Sequence, residues 1–218
     1  TGFALNSILN MEIERVKYPL NPFINAGAIA TTSMIVSKTG DDAFEEILDF
    51  ARDICNDPDL YLDQIIYHSE KRTGNLGRSL AYYMESKNMM LGDVVTSLDT
   101  YFKQCSMMAT ARSLANLGAV LANGGVKPWD NKRIIPDEEA HCIKSLMMTT
   151  GLYNQSGIYS RLIGVPTKSG VGGGLMSAAP HKYGIGIFSP ALDKDGNSIA
   201  GLDLLRDIVD GLELDVFD

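Results

Sequence analysis

PTKSGVGGGLMSAAPHKYGIGIFSP, residues 166–190, decides the fold class of this chain. GVPTKSG reads as a strand. GLMSAAP and KYGIGIFSP read as two more, joined by a short turn around Pro180–His181. Tyr183, Ile185 and Ile187 alternate with Gly184 and Gly186, so one face of the last strand can enter a core while the glycine face lets a helix lie close. The glycines after Lys168 also raise the question of a phosphate loop. A P-loop needs a Gly-Lys pair, and the sequence has none. A dinucleotide fingerprint counted from Gly170 puts Leu175 at its sixth position, with a strand rather than a helix following. Two readings remain: a tight hairpin connection, or the wall of a site. The first explains the glycines but not why Lys168 and Ser169 precede them at the end of a strand.

Upstream, the chain is helical. Residues 1–24 read as irregular, punctuated by Pro19 and Pro22. NAGAIATTSMIV (25–36) reads as a buried helix whose small residues admit close neighbours. DDAFEEILDFARDIC (41–55) is amphipathic, with Phe44, Ile47, Leu48, Ala51 and Ile54 on one face and acids at its start. LDQIIYHSEKRT and NLGRSLAYYMESK give two helices split near Gly74. VVTSLDTYFKQC and MATARSLANLGAVLANGG give two more, the second stopping at Gly124–Gly125. PDEEAHCIKSLMMTTG (136–151) opens with proline and acids, as helices do. DKDGN (193–197) is a turn, and GLDLLRDIVDGLEL closes the chain with Leu205, Ile208, Val209 and Leu212 on one stripe. Helices, then hairpins, then a helix make an α+β protein rather than an alternating βαβ one.

The bulk numbers fit one domain over residues 1–218, with 45% hydrophobic and 21% charged residues. The formal net charge of −8 and the lack of a basic cluster argue against nucleic acid and anionic lipid as partners. No apolar run reaches membrane-spanning length. Cys55, Cys105 and Cys142 are odd in number and far apart, so they read as buried reduced thiols in a cytoplasmic protein. His68, His141 and His181 are isolated and HSEKR is not H-E-x-x-H, so zinc has no case. A calcium loop from Asp193 would need glycine sixth and glutamate twelfth, where Ser198 and Leu204 stand. The chain begins at Thr1 without a methionine, which leaves any targeting segment open.

A K-[ST]-G triplet on a strand is an acyl-transfer device in penicillin-binding proteins and β-lactamases: the lysine brings positive charge, and the residue after it an N–H for an oxyanion. KSG alone is weak, but its company is specific. NPFINAGAI, YHSEKRTG, YFKQCS, LANGG, GLYNQSG, PTKSGVGGG and FSPALDKDGNSIAG occur in one order. Together they resemble the serine-dependent glutaminases, over nearly the whole chain. The resemblance implies a β-lactamase-like fold, a helical cluster on an antiparallel sheet, and hydrolysis of L-glutamine to L-glutamate and ammonia without metal or organic cofactor. It implies substrate-binding roles for Asn25, Glu70, Tyr101, Tyr153 and Val171. Glu70 would hold the substrate's ammonium group, Tyr153 would relay protons, and the Val171 N–H would face the oxyanion. It also implies a homodimer or homotetramer.

One position departs from the family pattern, and one motif is absent. The asparagine usual seven residues after the glutamate of HSE is replaced by Gly77, so either Asn75 reaches in or one substrate contact is missing. The family's nucleophile is the serine of S-x-x-K, with the lysine as its base. No lysine here follows a serine at that spacing; TYFK (100–103) comes nearest. In the family that motif lies upstream of the residues matching Thr1, so an N-terminally incomplete glutaminase domain is expected. Two rivals stay open. One is another acyl hydrolase of the same fold, although its S-D-N triplet is lacking. The other is a non-catalytic fragment or inactive paralogue that binds glutamine.

Overall fold

Gly184 and Gly186 stand on a strand whose neighbour is a helix backbone, and the architecture of the C-terminal half follows from that. The computed structural model describes residues 18–218; the expectation of an irregular start therefore lies, for residues 1–17, outside the described residues. The chain forms two compact units. One contains Asp53–Asp57 and Ala109–Asp218. The other runs through residue 52 and then from Pro58 to Met108.

In the sheet unit, β3 (Thr167–Ser169), β4 (Gly174–Ala179) and β5 (Tyr183–Phe188) form an antiparallel meander in that order. Leu175 pairs with both Ser169 and Ile187, and Ser177 with Thr167 and Ile185. Helix α6 (Ala111–Ala122) lies on the glycine face of β5. A Cβ at Gly184 would stand 2.0 Å from the Ala119 nitrogen, and one at Gly186 1.9 Å from the Ala111 carbonyl oxygen. No side chain fits there, which is why this strand alternates glycine with isoleucine. The opposite face is apolar. Leu175, Ala179 and Ile187 pack with Leu202, Leu205 and Val209 of α9 (Ile199–Leu212), and with Leu152, Ile163 and Val165. Helix α6 starts at a capping box in which the Thr110 and Ser113 side chains each take the other's backbone N–H. Helix α7 (Asp137–Thr150) starts with three acids in its first turn, suited to the positive end of its dipole. The short α8 (Ser156–Leu162) follows a 3-10 turn at Tyr153–Gln155.

The helical unit has its own core, built from Ile24 and Ile29 of the α1 region (helix Asn25–Thr39), Tyr67 of α3 (Gln64–Thr73), Leu80, Ala81 and Met84 of α4 (Asn75–Ser86), and Val94, Leu98 and Phe102 of α5 (Val94–Gln104). Asp63 caps α3 by accepting from the N–H groups of Ile65 and Ile66, and Asp93 caps α5 through Thr96. A salt-bridge cluster locks α3 to α5. Asp99 accepts from the Tyr67 hydroxyl and from Lys71 Nζ, each at 2.5 Å, and its second oxygen lies 3.1 Å from Lys103 Nζ. Helix α2 (Ala43–Cys55) buries Phe44, Leu48 and Ile54, as its pattern predicts, and its last three residues belong to the sheet unit.

The strands, Gly74 break and DKDGN turn stand where the sequence puts them. Several details differ. Met108 is not helical: Met107–Met108 (β2) pair with Tyr61–Leu62 (β1) in a two-residue ladder. Leu212 is exposed at the end of α9 rather than on its buried stripe. Of the thiols only Cys55 is buried; Cys105 and Cys142 are exposed. No helix among the described residues is long and apolar enough to cross a membrane.

Candidate functional site

Lys168 and Ser169 end β3, and the chain then turns sharply through residues 170–173. The Gly170 N–H reaches the Gly174 carbonyl and the Gly173 N–H returns to Gly170, both at 2.9 Å. Val171 stands at the exposed tip of this turn, and its N–H has no acceptor among the described residues. An N–H held at the tip of a fixed turn is the geometry an oxyanion donor needs.

Tyr153 is buried and sits at φ 52°, a left-handed conformation uncommon for an aromatic residue. Its hydroxyl donates to the Ser169 carbonyl at 3.3 Å. Lys168 Nζ donates to the same carbonyl and lies 4.6 Å from the Tyr153 ring centre. Burial pushes the Lys168 ammonium down to about 8. Burial also raises the Tyr153 phenol above its ordinary value, against the hydrogen bond at Ser169. The tyrosine therefore stays protonated at neutral pH and can donate, while Lys168 can exchange a proton near it. A Cβ built on Gly196 (φ 93°) would stand 3.4 Å from both Tyr153 Cε2 and Val171 Cγ1. Tyr153 and Val171 thus flank one residue of the Asp193–Asn197 turn.

The helical unit carries the other three expected residues. Asn25 is the first residue of α1, Glu70 lies on α3 and Tyr101 on α5, all partly buried. Glu70 and Tyr101 share Cys105 as a neighbour. Desolvation first and the Glu70 charge second raise the Cys105 thiol, against a hydrogen bond with Tyr101, although part of the residue reaches solvent. Gly77 lies inside α4, where a Cβ would meet Phe102 at 3.6 Å and Ile29 at 3.9 Å, ordinary contact distances. Asn75 is exposed, with its amide oxygen 3.5 Å from the Arg78 guanidinium.

Sequence reading missed a buried polar network behind Tyr153. Ser169 Oγ donates to Asn197 Oδ1 at 2.7 Å. Asn197 Nδ2 donates to the Leu152 carbonyl at 3.3 Å and to Gln155 Oε1 at 3.2 Å. Gln155 Nε2 in turn reaches Asp195 Oδ2 at 2.7 Å. The available signals were the serine of KSG and the asparagine that ends DKDGN.

A family model described as Glutaminase matches residues 1–217. Glutaminase 1 of Clostridium perfringens is 55% identical over 217 residues, which cover 100% of this chain and 71% of that protein. The crystal structure of a Bacillus glutaminase solved in concentrated NaCl superposes with a TM-score of 0.93 at 36% identity, covering 100% of this chain and 74% of the other. A Bacillus subtilis glutaminase in covalent complex with 5-oxo-L-norleucine, formed by reaction with 6-diazo-5-oxo-L-norleucine, gives 0.87 at 36% identity, over 91% of this chain and 70% of that one. The fold is that of the β-lactamase-like α+β proteins. Within that class, the chain belongs to the glutaminase family.

Proposed function

We propose that this protein hydrolyses L-glutamine to L-glutamate and ammonia through a serine acyl-enzyme, without metal or organic cofactor. Tyr153 and Val171 act in the chemistry, and Asn25, Glu70 and Tyr101 bind substrate. The serine gives its proton to its lysine, its oxygen adds to the side-chain amide carbonyl of glutamine, and the Val171 N–H holds the resulting oxyanion. The C–N bond then breaks. Ammonia leaves with a proton delivered through the Tyr153 hydroxyl, and a γ-glutamyl ester remains. Water adds to the ester, the serine oxygen departs with a proton, and glutamate is released. The attacking serine and its lysine are not present at S-x-x-K spacing in these 218 residues. This chain's own share is the oxyanion-side wall, the proton relay and the substrate contacts.

The observation that supports the reading is that the side chains of Tyr153, a buried phenol, and Val171, at the tip of a hydrogen-bonded turn, both lie next to Gly196. The test is ammonia release from L-glutamine by the protein expressed from its full reading frame. Tyr153→Phe is expected to lower kcat by about a hundredfold or more, as removal of a proton relay does. Unchanged turnover in that variant would sink the reading.

The lack of a serine and lysine at S-x-x-K spacing in these 218 residues, together with Gly77, favours a second reading, a glutamine-binding protein that does not turn substrate over. Heat of binding on titration with glutamine, without ammonia release, would mark it. Homodimer or homotetramer assembly and a cytoplasmic location complete the proposal. Light scattering after size exclusion tests the first, and fractionation of cells the second.

A further inference from the structure

Asn197 is fully buried, its side chain faces no solvent, and it touches three segments at once. The first is the end of β3, through Ser169 Oγ at 2.7 Å. The second is the Leu152–Gln155 turn, through the Leu152 carbonyl and Gln155 Oε1. The third is its own turn, where its N–H reaches Asp193 Oδ1 at 3.0 Å and its carbonyl accepts from the Asp193 N–H at 2.8 Å. These segments carry, in order, the approach to Val171, the residue Tyr153, and Gly196, beside which both lie.

We propose that Asn197 is a positioning residue for the reaction, fixing Tyr153 and the Val171 turn relative to each other through its three side-chain hydrogen bonds. The inference rests on the reading of Tyr153 and Val171 as the reacting groups of the sheet unit.

The chemistry of the amide suits this role and no other side chain of its size does. One end accepts from the Ser169 hydroxyl, which also lies 3.4 Å from the Gly151 carbonyl, while the other donates to a backbone carbonyl that can only accept. Aspartate would match the shape, but it would turn an oxygen toward the Leu152 carbonyl oxygen. Gln155 could reverse its amide to adapt; the Leu152 carbonyl could not. Alanine would leave the Ser169 hydroxyl and the Leu152 carbonyl without this buried partner. Tyr153 makes the constraint matter. Its left-handed backbone is uncommon for an aromatic side chain, and such a residue persists only where its surroundings over-determine it. Asn197 grips the residue before it and the side chain two residues after it. Ser156 Oγ holds the Tyr153 carbonyl itself at 2.9 Å. Released from Asn197, Tyr153 can relax toward an ordinary conformation, and its hydroxyl moves away from the Ser169 carbonyl.

The test is a double-mutant cycle on the full-length protein, with kcat and KM for L-glutamine measured separately. Asn197→Ala is expected to lower kcat by about tenfold or more while KM stays within about threefold, because geometry in the transition state is lost rather than uniform binding. On a Tyr153→Phe background the same change is expected to lower kcat by clearly less than it does on the parent, since one of the two groups it positions is already gone. Val209→Ala, a truncation in the apolar core of α9, provides the structural comparison: at a similar loss of melting temperature, its kcat is expected to stay within about twofold of the parent. Multiplicative losses for Asn197→Ala and Tyr153→Phe overturn the proposal. So does an Asn197→Ala kcat no lower than that of Val209→Ala. Should Asn197→Ala not fold, Ser169→Ala carries the same cycle, because it removes one of the three bonds and leaves the Ser169 carbonyl in place. Full turnover in Tyr153→Phe alone would instead bring down the parent reading, and that result needs no Asn197 variant to be seen.

Discussion

Lys168 is held at a cost to the folded state. Its folded value of about 8 lies below the ordinary 10.5 because burial disfavours the charge. Between those two values the unfolded chain binds more protons than the folded one, so this residue makes stability rise as pH climbs from about 8 toward 10.5. At neutral pH the buried ammonium therefore opposes folding. Lys168→Met, which keeps the stem and drops the charge, is expected to raise the melting temperature at pH 7, with the advantage shrinking above pH 10, and to reduce glutamine turnover. Calorimetric scans across that range check it; a lower melting temperature at pH 7 would show that the bond to the Ser169 carbonyl outweighs desolvation. Such a trade, stability given up for a charge in a pocket, is common where chemistry is done.

Between elements, contacts are set by what each face lacks. Helix α6 meets β5 backbone to backbone because Gly184 and Gly186 have no side chains. Gly184→Ala would drive a methyl group into the Ala119 nitrogen, so the helix must move; a loss of about 3 kcal/mol or more in urea denaturation is expected. A loss under about 1 kcal/mol would mean that the two elements slide freely. The α3–α5 contact is polar instead. Burial of Asp99 acts to raise its carboxyl, but hydrogen bonds from Lys71, Tyr67 and Lys103 win and hold it at about 2. Its contribution is full above the ordinary 3.8 and is lost as pH falls through about 2. Asp99→Asn is therefore expected to flatten the acid limb of the stability curve, with the two proteins converging near pH 2. Parallel acid limbs would refute this. The alternation Tyr183-Gly-Ile-Gly-Ile was legible in the sequence because both of its faces have local causes. Helix α8 was not: seven residues containing Gly157 show too little periodicity. The β1–β2 ladder pairs Tyr61 with Met108 and Leu62 with Met107, partners too far apart in sequence for any local pattern to record. The same holds behind the candidate site. Its named residues came from motifs in order, whereas Asn197 finds Ser169 28 positions away and Leu152 45 positions away.

For the molecule as a whole, the path of the chain matters more than the count of its elements. The sheet unit borrows Asp53–Asp57 from the middle of the other unit's sequence. Three contacts explain why. Lys127, almost fully buried, donates to Asp53 at 2.7 Å and also pairs with Asp130 at 2.9 Å. Ser113 donates to Asp57 at 2.5 Å, and Asn116 to the Cys55 carbonyl at 2.7 Å. Asp53→Ala is expected to lower the melting temperature by leaving Lys127 with one carboxylate, and adding Lys127→Met is expected to recover part of the loss. No recovery in the double variant would show that Asp53 acts through something other than this cation.

The borrowed segment also bears on how the protein comes off the ribosome. Among the described residues, the core of the helical unit lies between Ile24 and Phe102, so all of these residues have been made once Met108 has emerged. The sheet unit's core needs Leu205, Val209 and Leu214. Asp53–Asp57 must therefore wait, already made, while the chain grows from Asp57 to Leu214, on the order of 8–30 s at cellular speeds. Until α6 has been made, Cys55, buried in the finished protein, lacks the helix whose Asn116 holds its carbonyl.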